Sequence, residues 1–330
     1  MVLAVRSAGE LVWDNHVCLP MDFAKAERSL PNLVRCRAGG VDVVSINVGY
    51  GAYSIEHHLR FVAFLRDRIR SLGGGYVLIE TVADIERAKA QEALAICFDI
   101  EGAAPVAGDL GLIERFYRLG VRWMLVAYNQ PNAFGGGCHE DDPGLTARGR
   151  EWVAEMNRVG MVACCSHTGY RTARDVIERS ADPVIFSHSN PRALEDHPRN
   201  VPDDLIQACA RRGGVVGING VSLFLGGSGA TPARVAEHID YVAQLVGVEH
   251  VGIGTDFVFD VGDLGAEVAA AADTFPAGWG YDQPIEFLAP EELPHVAAAL
   301  AHRGYTRGDV AAVMGGNLMR IARTVWKSPT

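Results

Sequence analysis

Long apolar runs are missing from this 330-residue chain. A membrane-spanning helix needs about 20 consecutive, mostly apolar residues, and no uninterrupted apolar stretch approaches that length. The N-terminal segment also lacks the apolar region and the small-residue cleavage site that define a signal peptide. The sequence therefore predicts a protein that neither spans a membrane nor carries an export signal.

Positive charge is also scarce. The chain has 30 Lys and Arg residues against 40 Asp and Glu residues, which gives a formal net charge of −10. The basic residues are scattered singly or in pairs, whereas a nucleic-acid-binding surface concentrates them on one face. We expect no nucleic-acid partner.

The cysteines do not form the even set that a disulfide framework requires. The seven cysteines are Cys18, Cys36, Cys97, Cys138, Cys164, Cys165 and Cys209. Their odd number and their frequent position inside apolar runs are typical of reduced thiols. This pattern predicts a cytoplasmic location.

No glycine-rich turn of the dinucleotide-binding type occurs, which argues against a doubly wound sheet. Apolar, β-branched runs instead alternate with helical patterns, as in parallel α/β folds. Eight of these runs end near His16, Asn47, Glu101, Tyr128, His167, His188, Asn219 and Asp256. Eight such units predict a (β/α)8 TIM-type barrel. We expect one domain over residues 1–330, with an active-site insert at 258–290 that is too long for an ordinary loop.

Two of the apolar runs end in the same dipeptide, at Ser166-His167 and at Ser187-His188. The two histidines are separated by about the length of one strand–helix–strand step. Neighbouring parallel strands would bring both imidazoles to one edge of the sheet. Histidines and carboxylates at further strand ends complete a set of ligands suited to zinc or a similar divalent ion. The sequence therefore predicts a metal site at this edge.

Several longer motifs are spread over most of the chain, among them WDNHVCLP, FDIEGA, LGVRWMLVAYNQPN, CCSH, SHSN with HPRNVPDD, and VGIGTDF. In these motifs the chain resembles the membrane (renal) dipeptidase family of metallopeptidases, within the amidohydrolase superfamily. The resemblance implies a barrel of the metal-dependent hydrolase type. It also implies roles for several of the polar residues at the strand ends.

The implied metal ligands divide into two groups. His16 would bind a first metal ion, and Glu101 would bridge two ions through its two oxygens. His167 and His188 would bind the second ion. The expected cofactor is Zn²⁺, as one or two ions, with another divalent metal as the alternative.

The resemblance also implies residues that act on the substrate. Asp256 would exchange protons with the metal-activated water as the proton shuttle. Arg199 would hold the terminal carboxylate of the substrate in a charge-assisted pair. The implied reaction is hydrolysis of the amide bond of dipeptides or similar small amides with a free carboxylate. The enzyme would thus be a metallo-dipeptidase.

Two positions depart from the family pattern. Cys18 stands where the family usually has an aspartate two residues after the first histidine. Either Cys18 coordinates as a thiolate, which favours zinc, or the first ion is weakly bound or absent. Tyr128 stands where many members have a histidine that polarises the scissile carbonyl. Its hydroxyl either donates to the developing oxyanion or only lines the pocket.

These departures leave two other functions open. One is a hydrolase of the same superfamily that acts on a non-peptide ester, a lactone or an N-acyl amino acid. The other is a non-catalytic metal-binding relative with a degraded first metal site. If the protein is a dipeptidase or another hydrolase, its expected partner is a small-molecule substrate. A homodimer is a further expectation, because members of the family are often dimers.

Overall fold

The strands form where β-branched and apolar residues run together, and they pair in parallel. The computed structural model describes residues 10–51, 53–226, 229–262 and 264–328. Each of the eight predicted runs contains a strand. The strands are β1 (Trp13–Cys18), β2 (Val43–Tyr50), β3 (Tyr76–Leu78), β4 (Leu94–Glu101), β5 (Val121–Leu125), β6 (Val162–Cys164), β7 (Ile185–Phe186), β8 (Val215–Ile218), β9 (Val251–Ile253) and β10 (Phe257–Val258).

The sheet closes into a ring. In the order β1, β2, β4, β5, β6, β7, β8 and β9, each strand pairs in parallel with the next. β10 follows β9 after three residues and pairs with β1, where Val17 lies opposite Phe257. β3 pairs with the first half of β4. The predicted (β/α)8 barrel is thus confirmed.

Helices alternate with the strands. They are α1 (Phe23–Ser29), α2 (Val34–Ala38), α3 (Ile55–Ser71), α4 (Val82–Ala90), α5 (Gly111–Arg118), α6 (Ala147–Val159), α7 (Tyr170–Arg179), α8 (Asp203–Arg211), α9 (Ser222–Leu225), α10 (Pro232–Val246), α11 (Leu264–Ala270), α12 (Leu293–His302), α13 (Arg307–Ala311) and α14 (Asn317–Val325). In the described part of the chain, none of them is long and apolar enough to cross a bilayer.

Local sequence signals fix several helix ends. The Thr146 side chain accepts a hydrogen bond from the Gly149 amide and caps α6. Gly160 then ends the helix in the left-handed conformation, at φ 87°. Pro202 is the N-cap residue of α8. All seven cysteines are free thiols, as expected.

Strand alternation separates the two faces of the barrel wall. On β2, Val44 and Ile46 pack in the large apolar cluster outside the ring. Ser45 and Asn47 alternate with them, and both donate hydrogen bonds to Asp99, at 2.7 and 3.1 Å. These polar side chains lie near the carboxyl ends of the strands, so this end of the barrel is the polar one.

The other end of the barrel is apolar. Trp13 and Trp123 belong there to a second buried cluster, which includes Leu318, Ile321 and other residues of α14. Burial of these side chains stabilises the barrel by about 25 cal/mol per Å² of apolar surface. The C-terminal helix α14 thus closes the apolar end of the barrel, and the polar end is the one that can hold a functional site.

The insert at 258–290 contains α11 and packs onto the barrel at its polar end. His139 Nε2 lies 2.9 Å from the Tyr281 hydroxyl, and His197 Nε2 lies 3.0 Å from the Trp279 carbonyl oxygen. These two contacts join the insert to the segments that follow β5 and β7. The insert therefore covers one side of the polar end.

Candidate active site

The predicted metal-binding and proton-transfer residues meet at the carboxyl edge of the barrel. They lie at or just after the ends of β1, β4, β6, β7 and β9, and they are His16, Cys18, Glu101, His167, His188 and Asp256. This convergence follows from parallel pairing, which brings the carboxyl ends of neighbouring strands to one rim. All except Cys18 and Asp256 are buried.

Hydrogen bonds orient the two histidines of the Ser-His motifs. His167 Nδ1 lies 2.7 Å from Asn129 Oδ1, and the Asn129 amide is fixed because its Nδ2 donates to the Thr274 carbonyl. An amide oxygen only accepts, so Nδ1 of His167 carries the proton. His188 Nδ1 lies 2.8 Å from Ser187 Oγ, a hydroxyl that is able to donate or to accept, so this contact orients the ring without fixing its proton. Nε2 of His167 therefore presents a lone pair.

Both Nε2 atoms face one carboxylate oxygen. The Nε2 atoms of His167 and His188 are 3.0 Å apart, and they lie 3.2 and 3.1 Å from Glu101 Oε1. Glu101 Oε1 has no hydrogen-bond partner in the described part of the chain. When both Nε2 atoms present lone pairs and Glu101 is ionised, these three atoms are all acceptors, and a cation between them would remove their repulsion. Ligand atoms about 2.0–2.2 Å from a tetrahedral zinc are about 3.3–3.6 Å apart, so the residues fit such an ion with little movement.

Burial sets the charge of these groups. It lowers the pKa of His167 and of His188 well below the ordinary value, and the positive Arg199 and His16 add to this effect. Both imidazoles are thus neutral, which is the form that binds metals. Burial also raises the pKa of Glu101 to about 8. A buried carboxyl of this kind ionises most readily when a cation is bound beside it.

His16, Cys18 and Asp256 form the second half of the site. His16 Nε2 lies 3.3 Å from Asp256 Oδ1 and 3.6 Å from Glu101 Oε1. Cys18 Sγ is 3.5 Å from His16 Nε2 and 3.7 Å from Asp256 Oδ1. These atoms are close enough together to hold an ion. Burial raises the pKa of the Cys18 thiol to about 12, so it would become a thiolate only on a metal.

Asp99 supports His16 from inside the barrel. Asp99 Oδ1 lies 3.2 Å from His16 Nδ1. Burial acts to lower the pKa of His16, but the Asp99 carboxylate and other negative groups outweigh it, so the net pKa lies well above the ordinary value. A carboxylate behind a metal-facing imidazole is a common supporting contact in metal sites.

The backbone is strained at three points of the site. Asn129, His167 and Asp256 adopt the left-handed conformation, at φ 56°, 60° and 58°. Glu92 is the remaining non-glycine residue with positive φ in the described ranges. Each such residue costs about 1–3 kcal/mol, and strain of this kind concentrates at functional sites. The turns after β5, β6 and β9 thus hold their side chains in place at a cost in stability.

Asp256 is held from two sides. Its amide donates to the His16 carbonyl oxygen at 2.9 Å, which joins the last strand to the first. Asn219 Nδ2, at the end of β8, donates to Asp256 Oδ2 at 2.9 Å. The other oxygen, Oδ1, faces His16 and Cys18. One carboxylate oxygen is therefore anchored, and the other is directed into the site.

Tyr128 lies against the metal-facing histidine. Its ring stacks on His167, with centroids 4.2 Å apart, and also contacts Tyr50. Burial raises the pKa of Tyr128 well above the ordinary value, and the negative charge of Glu101 contributes further. The hydroxyl therefore keeps its proton and is able to donate a hydrogen bond.

Arg199 is a buried cation, 2% exposed. Its guanidinium donates to Ser189 Oγ at 3.3 Å and to the His188 carbonyl at 3.1 Å, while Nε has no partner. No carboxylate of the described residues lies within ion-pair distance of it. A buried charge without a counter-ion is costly, which suits a site for an anionic group of a ligand.

Sequence reasoning gave no role to three residues that support the site. Asp99 lies two positions before Glu101 on β4, so strand alternation alone predicts that both face inward. Asn219 lies at a predicted strand end and Asn129 directly follows Tyr128 at another, but their partners, Asp256 and His167, follow other strands. The sequence feature that could have indicated a role for both asparagines is their position at the carboxyl edge of the barrel.

A parallel barrel whose carboxyl edge gathers histidines and carboxylates around one point defines the class of metal-dependent hydrolase barrels. The chain belongs to the membrane dipeptidase family (peptidase family M19), whose family model matches residues 5–328. The resemblance inferred from the sequence is thereby confirmed.

Curated relatives agree with this assignment. Dipeptidase verJ of Clonostachys rogersoniana is 32% identical over 235 residues, which cover 70% of this chain and 55% of the relative. A Klebsiella pneumoniae protein from the region 5′ of pqqA is 30% identical over 278 residues, covering 81% of this chain and 95% of that protein. The chain thus spans about half the length of several dipeptidases that it matches.

Solved structures share the fold. An amidohydrolase from Pseudomonas aeruginosa has a TM-score of 0.87 at 32% identity, over 97% of both chains. A metallopeptidase from Rhodobacter sphaeroides has a TM-score of 0.78 at 22% identity, over 96% of this chain and 99% of the other. That structure contains a phosphinate mimic of the dipeptide L-Ala-D-Ala. At this identity the second likeness concerns the fold alone.

Proposed function

We propose that this protein is a metallo-dipeptidase that hydrolyses dipeptides or similar small amides with a free carboxylate. The observation that carries the proposal is the cluster of His167 Nε2, His188 Nε2 and Glu101 Oε1, which lie 3.0–3.2 Å from one another, close to the spacing of atoms that bind one cation. A dipeptide-like ligand in a structural neighbour is consistent with the proposed substrate class.

We propose zinc as the metal. The donors are nitrogen-rich and include the sulfur of Cys18, a set that suits zinc better than harder ions. His167, His188 and Glu101 would hold one ion, and His16 with Cys18 and Glu101 would hold another. When bound, zinc would supply Lewis acidity that polarises the substrate carbonyl and acidifies water.

Asp256 would move the proton in the reaction. Its other oxygen, Oδ1, which faces the site, would accept a proton from the attacking water and pass it to the leaving amine. The hydrogen bond from Asn219 to Oδ2 keeps the carboxylate from rotating between these steps. Oδ1 therefore stays directed at the reacting atoms.

Arg199 and Tyr128 would bind the substrate. Arg199 would pair with the terminal carboxylate, which supplies the counter-ion that the buried guanidinium lacks. The Tyr128 hydroxyl, which keeps its proton, would donate to the oxyanion that forms at the carbonyl. Together they would orient the amide between His167 and Asp256.

The test is turnover of a dipeptide library, including D-residues, by metal-loaded protein and by an Asp256→Asn variant. The variant should lose about 100- to 10,000-fold in kcat while metal content is unchanged. Asp282→Asn, which removes an exposed carboxylate of the insert, is the matched control and should keep full activity. Retained activity in Asp256→Asn would rule out the shuttle. Bound metal with no turnover in the unaltered protein would favour a non-catalytic relative.

Some features expected from the sequence stay predictions. They are the cytoplasmic location, the homodimer and the single domain over residues 1–330. Gel filtration with light scattering would measure the oligomeric state, and fractionation of cells would measure the location.

A further inference from the structure

Two cavities meet at His167. One is lined by Arg199, Ser189 and Thr168, and we call it the arginine cavity. The other is lined by Glu101, by Asp256 and by side chains of the insert. A substrate whose carboxylate lies at Arg199 and whose amide lies at Glu101 must place its acyl half in this second cavity.

The second cavity is apolar, and we call it the apolar cavity. It extends from the segment after β1 to the insert. The side chains that define it are Leu19, Met21, Val268, Phe275, Ile285 and Phe287. The four insert residues among them are only half-buried. Apolar surface left partly open inside a cavity is stabilised when an apolar ligand covers it.

The wall of the apolar cavity is a built structure. Val221, Phe224 and Tyr281 form a buried cluster of their own, and half-buried insert residues pack against it. The Phe275 ring lies 5.2 Å from the Tyr281 ring and 6.2 Å from the Tyr128 ring, each at a steep angle. The wall therefore has a defined shape beside the reacting centre.

Four charged side chains line this cavity. Two of them, Glu101 and Asp256, belong to the candidate metal site. The other charged lining residues are Lys25 and Asp260, and Asp260 is exposed and accepts a hydrogen bond from the Gly262 amide. An apolar acyl half would thus meet apolar side chains along most of its length.

We propose that the apolar cavity is the subsite for the acyl half, and that preferred substrates carry a large aliphatic or aromatic group there. This inference rests on the proposed function and names its substrate class. An acetyl or glycyl group is too small to cover the apolar side chains of the insert, which run from Val268 to Phe287 in the sequence. An N-acyl amino acid and a dipeptide with a bulky first residue share the chemistry that the cavity selects.

The first test is kcat/KM of the metal-loaded protein over two substrate series with alanine as the leaving half. One series is N-acetyl-, N-hexanoyl- and N-decanoyl-alanine, and the other is glycyl-, leucyl- and phenylalanyl-alanine. We expect kcat/KM to rise about two- to fourfold for each added methylene until the cavity is filled. The two series also distinguish a blocked from a free amine.

A variant pair tests the wall itself. Val268→Asn should lower the ratio of kcat/KM for phenylalanyl-alanine to that for glycyl-alanine about tenfold. Val261→Asn changes an exposed valine of the same insert, 55% exposed, and should leave this ratio unaltered. Ile285→Asn repeats the test on a different segment, in case Val268→Asn does not fold.

Binding gives a readout that does not depend on turnover. Calorimetric titration of the Asp256→Asn protein should give a Kd for N-decanoyl-alanine at least tenfold lower than for N-acetyl-alanine. Equal Kd values, or a flat or reversed kcat/KM series in an active enzyme, would overturn the inference. Absence of turnover for every member of both series would instead contradict the proposed function, while the Kd ratio would still decide what the cavity binds.

Discussion

At the scale of single residues, the Asn129 side chain makes two hydrogen bonds that link the candidate metal site to the insert. Its side-chain oxygen fixes the proton of His167, and its side-chain nitrogen donates to Thr274 in the insert. We expect Asn129→Gly to weaken metal binding about 10- to 100-fold, because contacts behind a metal ligand contribute that much. Glycine accepts positive φ without strain, so the turn should survive. Competition with a chromogenic chelator measures the affinity.

Glu92→Gly is the matched control for this variant. Glu92 also has positive φ, at 54°, but it is exposed and precedes the amino end of β4, whereas the site lies at the carboxyl end. Both substitutions relieve backbone strain, and only Asn129→Gly removes the hydrogen bond to His167. Equal metal affinity in the two variants would show that Asn129 does not support the site.

Cys18 offers a second test at this scale. We expect Cys18→Ala to lower the zinc content from about two ions to one, since the sulfur lies among His16 and Asp256. Cys18→Asp should restore the second ion, because a carboxylate is a common zinc ligand. Elemental analysis of purified protein measures both. Two ions in Cys18→Ala would mean that the first metal position does not use Cys18.

At the scale of elements, the sequence predicted the strands and the barrel well. Continuous β-branched runs, such as the one that forms β2, gave strand positions without a partner in view. The Ser-His repeat predicted that His167 and His188 meet, because parallel strands share one edge. The family motifs added Arg199. Arginine side chains usually lie at the protein surface, but this one is buried.

The sequence could not predict contacts between distant segments. Asn129 reaches Thr274, 145 positions further along the chain, and no local pattern encodes that distance. The same holds for the positive φ of His167 and Asp256, since tertiary contacts impose conformations that these residues seldom adopt alone. The sequence pattern also does not predict how the insert folds, although it predicts that the insert lies at the active site.

The insert gives a prediction for an element. Tyr281→Phe removes the hydroxyl that lies 2.9 Å from His139 Nε2. We expect faster amide hydrogen exchange in α11 and in residues 274–281, with the rest of the barrel unchanged, because one anchor of the insert is lost. Tyr305→Phe removes a hydroxyl that contacts Asp240 instead, and serves as the control. Identical exchange in both variants would show that the contact to His139 does not hold the insert.

At the scale of the whole molecule, stability should depend on a buried histidine far from the metal centre. His238 is fully buried, its Nε2 lies 2.9 Å from the Leu225 carbonyl oxygen, and burial lowers its pKa to about 4. Between pH 6.5 and 4 the unfolded chain binds a proton there that the folded chain does not. The free energy of unfolding should therefore fall as the pH drops through this window, by up to about 3 kcal/mol from this residue.

Urea unfolding at several pH values measures this effect as a difference between proteins. In His238→Gln the decline between pH 6.5 and 4 should be smaller than in the unaltered protein. His302→Gln, which replaces an exposed histidine of α12, should show the full decline. An unchanged decline in His238→Gln would mean that His238 does not limit stability in acid.

The central claim is that the polar end of the barrel is a metal-dependent amide-hydrolysing site. The most direct measurement is dipeptide turnover by chelator-treated protein during titration with zinc. We expect no turnover without metal, and a rise that levels off once His16, Cys18, Glu101, His167 and His188 hold the one or two ions that elemental analysis counts. Full turnover in protein shown to contain no metal would contradict the claim.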